Sequence, residues 1–266
     1  MVYNIRFFPH LMLIFLTGCT GLPRDQVQIA LPDDCPYLSA ASLVEDQNQL
    51  GPLTDTHTLA CALTVLRNTQ DPAVLGTSLG SRLSLLLAER EVDQNKREKL
   101  AAEGVGFAEA ALQRGGRGDG AVHYYLAANL GLSVREHITL AMRNLGRLED
   151  EMKQAVALNP DIDSGGPLRL LGMLYLKAPS WPNGIGDIDK ALELLEKAAR
   201  EHPDHPLNHL FYARALWAEG DEANLTQIKA ELAQAEKLLE EGDWGYNKNS
   251  WKNEFAEFAQ EFKPVD

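Results

Sequence analysis

The chain has 266 residues, 45% of them hydrophobic, which is enough for one or two domains with a sizeable core. Its formal charge is -13, from 25 lysines and arginines against 38 aspartates and glutamates. That balance excludes a nucleic-acid binder, which needs surplus cations to meet the phosphate backbone, and equally a basic surface that lies on anionic lipid.

Residues 1–19, MVYNIRFFPHLMLIFLTGC, read as a bacterial secretion signal: one charge at Arg6, a short apolar run, then small residues before Cys19. The run is too short to span a bilayer comfortably, and Pro9 interrupts it. Leu16-Thr17-Gly18-Cys19 resembles the lipobox of bacterial lipoproteins, in which cleavage precedes the cysteine and several acyl chains then anchor it. Loss of residues 1–18 removes only Arg6 and takes the charge from -13 to -14. Thr20, in place of the aspartate that marks inner-membrane retention in such lipoproteins, points to the outer membrane of a Gram-negative cell, facing the periplasm. The expected organisation is a signal peptide over 1–18, a tether over 19–40 carrying Pro23, Pro32 and Pro36, and a folded domain over 41–266.

Two cysteines remain after Cys19. In an oxidising periplasm Cys35 and Cys61 are most simply a disulfide. The alternative pairs Cys61 with His57, one helical turn away, as thiolate and imidazole or as metal ligands, but it lacks further ligands.

From residue 55 onward the apolar spacing is helical. Asp55 to Asn68 carries Leu59, Leu63 and Leu66, and Asp71-Pro72 opens a helix whose Leu75, Leu79, Leu83, Leu86 and Leu87 make one stripe. Lys96 to Arg114 is alanine-rich and ends in RGGRGDG, which lacks the lysine and hydroxyl residue of a phosphate loop and reads as a turn. Helices are expected over 120–132 and 133–158, the second closed by Asn159-Pro160. Another pair lies within 164–203, its two helices separated by an insertion at 178–184 and the second stopped by Pro203. Helices at 206–218 and 224–241 follow. The last, 248–262, bears Trp251, Phe255, Phe258 and Phe262 on one face, a lid for the final pair.

One of these pairs carries a packing code in both of its helices. Leu168, Leu171, Gly172 and Tyr175 follow the first-helix rhythm of a tetratricopeptide repeat, and Ala191, Leu195, Ala198 and Pro203 the second. Small residues let the helices cross closely and Leu195 fills the groove between them. The fold class expected is therefore all-α, a tetratricopeptide-like superhelix of about four to five helix pairs plus a C-terminal capping helix.

No nucleophile elbow, zinc-protease motif or dinucleotide fingerprint occurs, so an enzyme is not expected, nor a cofactor. His202, His205 and His209 are the densest polar cluster, but they flank a turn that is normally solvated, and no metal is expected there. In such repeats first helices line the concave face. That nominates Tyr124, Tyr125 and Asn129, then Arg169, Met173, Leu176 and Lys177, then Asn208 and Arg214, as groove residues suited to a small carboxylate or an acidic peptide. The competing reading has Arg169 and Arg214 pairing with acidic side chains of neighbouring helices. Trp181, between Pro179 and Pro182, is either a rim contact for a partner or the residue that pins the insertion.

The lipobox, AVHYYLAANLG at 121–131 and GGPLRLLGMLYLKAPSWP at 165–182 together resemble the T-component family associated with TRAP transporters. The resemblance implies a periplasmic lipoprotein that works beside a TRAP-type solute-binding protein and takes a small organic-acid or hydrophobic ligand, with Gly165, Gly166, Arg169, Ala178 and Pro179 at motif positions. From the lipobox and the charge, membrane attachment by the lipid anchor alone and no nucleic acid are expected, and a homo-oligomer is compatible with the sequence. The rival is a lipoprotein scaffold for outer-membrane protein or pilus assembly.

Overall fold

The computed structural model describes residues 29–37 and 39–262. The signal peptide and Cys19 lie outside the described residues. Among the described residues twelve α-helices run in the order α1 (Ala40–Asp46), α2 (Thr56–Asn68), α3 (Pro72–Leu75), α4 (Leu79–Arg90), α5 (Gln94–Gln113), α6 (Gly120–Val134), α7 (Ile138–Leu158), α8 (Gly166–Lys177), α9 (Ile188–Glu201), α10 (Pro206–Glu219), α11 (Leu225–Glu241) and α12 (Asn247–Glu261). No strand occurs among the described residues; the sole bridge is between Ser180 and Gly186. The architecture is all-α, a tetratricopeptide-like stack of antiparallel pairs α4/α5, α6/α7, α8/α9 and α10/α11.

Aspartate side chains start many of these helices. Asp55, Asp93, Asp119 and Asp187 each accept an N-terminal amide of the helix they precede, as N-caps do. The α8/α9 crossing has the expected physics: Ala191, Leu195 and Ala198 are fully buried, and a Cβ built on Gly172 would lie 2.6 Å from Leu195 Cγ. Only glycine allows that approach. Pro203 follows two residues after α9 ends.

The single leucine stripe expected from Asp71 onward is instead two helices. Residues 76–78, Gly-Thr-Ser, break it, with the Thr77 hydroxyl donating to Val74 O at 2.7 Å and accepting from Leu79 N at 3.3 Å. Leu79, Leu83, Leu86 and Leu87 still reach the core that α1 and α2 share. In that core Cys35 and Cys61 form a disulfide with Cα atoms 5.8 Å apart, tying the N-terminal segment to α2 and leaving no thiolate for His57.

The stack curls until its two ends meet. Arg90, at the end of α4, donates to Thr54 O at 2.6 Å and Pro52 O at 3.0 Å. Its guanidinium lies 4.0 Å from the ring centroid of Tyr246, whose amide donates to Pro52 O at 3.3 Å. The α11–α12 linker thus reaches back to the α1–α2 loop, with Gly245 at φ +54 making the turn. At the other end of α12, Phe258 is fully buried against α10 and Phe262 stacks edge-on to Trp217 at 5.1 Å, so the last helix covers the final pair.

Candidate functional site

Most of the polar residues nominated from the sequence as groove-lining are buried in the stack. Arg169, only 6% exposed, donates from Nη1 to Asn208 Oδ1 at 2.6 Å and Ser164 O at 3.2 Å, and from Nη2 to Asp163 O at 3.2 Å. Asn208, fully buried, donates to Ser164 O, Ala198 O and His202 O at 2.9–3.2 Å. The two side chains knit the turn before α8, the carbonyl end of α9 and the start of α10. That turn needs holding, because Asp163, Ser164 and Gly165 are all left-handed, at φ 48, 53 and 83. The hydroxyl of Tyr125 reaches the Asp163 carboxylate at 3.3 Å.

Asn129 has a similar role in the preceding helix pair. It is fully buried and donates to Ser81 O at 2.9 Å and Tyr125 O at 2.8 Å, and a Cβ on Gly104 would collide with it. Tyr124 is buried against α8, where a Cβ on Gly166 would lie 2.5 Å from its hydroxyl oxygen. Arg214, 4% exposed, donates to the Glu254 side chain at 3.0 Å and the Glu254 carbonyl at 3.1 Å, with Glu261 at 3.9 Å. The expectation of an open groove is corrected at Tyr124, Tyr125, Asn129, Arg169, Asn208 and Arg214. For Arg214 the competing reading, pairing with acidic neighbours, describes the geometry; for Arg169 the partners are carbonyls and an amide. Met173 and Leu176 are half-buried against the α10–α12 cluster, and Lys177 lies 4.0 Å from Glu261.

A recurrence underlies this that the sequence reading missed. His123 in α6, Arg169 in α8 and His209 in α10 each stand three residues after the first residue of their helix, and each bonds the carbonyl six residues upstream, of Arg117, Asp163 and Pro203. The two histidines use the other ring nitrogen on a carboxylate of the paired helix, Glu151 and Glu231, both at 2.6 Å. The position is a repeated clamp on the turn entering each first helix. A polar residue with a flat, multi-donor head recurring three after the helix start is the sequence signal that could have revealed it.

The three C-terminal histidines therefore have separate partners. His202 faces Asp161 at 3.2 Å, His209 is clamped to Glu231, and His205 lies against Trp244 and Trp251 with ring centroids 5.5 and 5.0 Å away. Desolvation, helped by Arg169 and the two other imidazoles, drives the His205 pKa down to about 2, so that ring is neutral. No group of three or more histidine, cysteine, aspartate or glutamate side chains among the described residues could hold a metal ion. Glu89, at the end of α4, keeps contact with solvent, yet desolvation and Asp163 raise its carboxyl to about 7 against the opposing Arg169 and Arg90.

What the chain offers outward is different. Trp181 is 85% exposed and so does not pin the insertion. The loop is fixed by backbone, Gly186 N to Pro179 O at 2.8 Å and Asp187 N to Tyr175 O at 3.1 Å. That leaves the indole presented on a fixed loop.

Residues 186–223, from the start of α9 to just past α10, match the tetratricopeptide repeat family. Fold and match together give an all-α, tetratricopeptide-like stack of helix pairs, and tetratricopeptide repeats generally serve as scaffolds that bind partner proteins. No curated protein matches the chain.

Proposed function

We propose that the protein is a non-enzymatic interaction scaffold of the periplasm, tethered to the outer membrane through Cys19, that works beside a TRAP-type solute-binding protein in uptake of a small organic-acid or hydrophobic solute. The observation that carries the scaffold reading is the stack of helix pairs with the tetratricopeptide match across α9 and α10. The buried polar side chains are spent on holding turns, and the exposed Trp181 supplies a rigid aromatic of the kind that anchors protein interfaces. The Cys35–Cys61 disulfide suits an oxidising compartment. The lipobox and the resemblance at 121–131 and 165–182 support the anchoring and transport roles.

The test is affinity capture from solubilised envelopes with the lipidated chain as bait. Recovery of a periplasmic solute-binding protein and its permease supports the transport reading. Recovery of barrel-assembly or pilus components alone refutes it in favour of an assembly scaffold. Cys19→Ala is expected to release the chain from the membrane fraction without loss of helical content.

A further inference from the structure

The corner where α5 begins, α6 ends and α7 begins departs from the rest of this acidic surface. An open cleft of about 400 Å³ lies there, lined by Asn95, Glu98, Lys99, Ala102, Val134 and Leu140 among others. Leu140 is exposed as well as lining the cleft, and on the other flank of the same α7 turn Ile138 and Met142, four residues apart, are exposed too, Ile138 to 80%. The first two turns of α7 thus leave apolar side chains uncovered on either side of its buried face, which a surface helix ordinarily does not.

Cations outnumber acids at this corner of an acidic chain: Lys96, Arg97, Lys99, Arg135 and Arg143 stand against Glu98 and Glu136. Lys96, Lys99 and Arg143 make no ion pair among the described residues, although the chain carries 38 acidic residues against 25 basic ones. The acidic groups beside them are engaged: Glu98 with His137 at 3.1 Å and Gln94 at 2.8 Å, and Glu136 with Arg135 at 3.0 Å. His137 precedes α7 without a side-chain cap, so the first amides of that helix add their partial positive charge to the same place.

We propose that this corner docks an acidic segment of a partner protein, an apolar side chain of that segment entering the cleft beside Leu140 and its carboxylates meeting Lys96, Lys99 and Arg143. Lys99 in the lining, with Lys96 three residues before it on α5 and Arg143 three residues after Leu140 on α7, complements such a segment and repels a basic one. The site deepens the scaffold reading and rests on it.

The probe is a phage-displayed library of random twelve-residue peptides, panned on the full mature chain and on Lys99→Glu/Arg143→Glu, with Leu140→Ser as a second variant and circular dichroism as the folding control. The expected result is enrichment of peptides with aspartate or glutamate flanking leucine or phenylalanine. Their binding should fall at least about tenfold on the charge-reversed chain and on Leu140→Ser. Selected peptides that are neutral or basic, or that bind all three proteins alike, overturn the proposal. So does cosedimentation of the unlipidated chain with phosphatidylglycerol vesicles that the same substitutions abolish, which would make the corner a lipid surface. Capture of a partner in the envelope experiment that survives both substitutions overturns this site and leaves the scaffold reading standing.

Discussion

Arg169 offers the sharpest test of how the stack is held. Replacing it with methionine keeps most of its volume while deleting the donors to Asn208 Oδ1, Ser164 O and Asp163 O. Ser164 O retains a bond from Asn208 Nδ2 at 3.0 Å, but Asn208 Oδ1 loses its donor inside a fully buried side chain. One unsatisfied buried acceptor costs about 1–3 kcal/mol, and the two other charge-assisted bonds add about 1–2 kcal/mol each. Relief from desolvating a guanidinium offsets some of this, leaving about 3 kcal/mol net. For a domain of this size that is a fall of about 6–12 °C in Tm. Thermal melting followed by circular dichroism at 222 nm measures it, with Lys177→Ala as the exposed control, expected within about 0.5 kcal/mol of the parent. A methionine variant melting within about 2 °C of the parent would refute the clamp and return Arg169 to the role of a ligand-facing residue.

The same clamp makes His209 a source of pH dependence. Desolvation pulls its pKa down, but the hydrogen bond to Glu231 and then the Pro203 carbonyl outweigh it, so the folded-state value is raised. Its contribution is fully present below the ordinary histidine pKa and is lost as pH rises through the folded value, so Tm should drop on going from pH 6 to pH 8.5, and His209→Gln should flatten that slope. Glu89 works in the same direction for the opposite reason: a carboxyl raised to about 7 weakens the fold as it ionises between its ordinary value and about 7, so Glu89→Gln should raise Tm at pH 8 and leave it nearly unchanged at pH 4. Gly172→Leu should destabilise by at least about 1–3 kcal/mol in urea titrations, because Leu195 and the α9 backbone already occupy the space. Trp181→Ala should leave stability within about 0.5 kcal/mol and reduce partner capture, since the indole is exposed and the loop does not depend on it.

The fold could be read from the sequence because its code is local. Gly172, Ala191, Leu195 and Ala198 sit at spacings that only close helix crossing explains, and all four are where that rhythm puts them. The break between α3 and α4 was hidden because the leucine stripe continues across it; only the Gly76-Thr77-Ser78 run betrays the turn. The polar interior was harder. Helical position alone aims Arg169 and Asn208 at a groove, but a residue in the first turn of a helix also faces the chain that enters it. Here that chain is a left-handed turn whose carbonyls accept from those side chains. Long-range partners such as Glu231 for His209 and Glu254 for Arg214 leave no trace in local spacing. Trp181 was undecided for a related reason: whether an aromatic between two prolines folds inward depends on backbone bonds of the loop, which residue types do not reveal.

Hydrogen–deuterium exchange of the full mature chain, alone and with a saturating amount of a TRAP-type solute-binding protein from the same organism, addresses the scaffold most directly. Slowed exchange in the Trp181 loop and at the start of α7, with α9 and α10 unchanged in their interior, is the predicted pattern. No amide slowed by the partner at any concentration would contradict it.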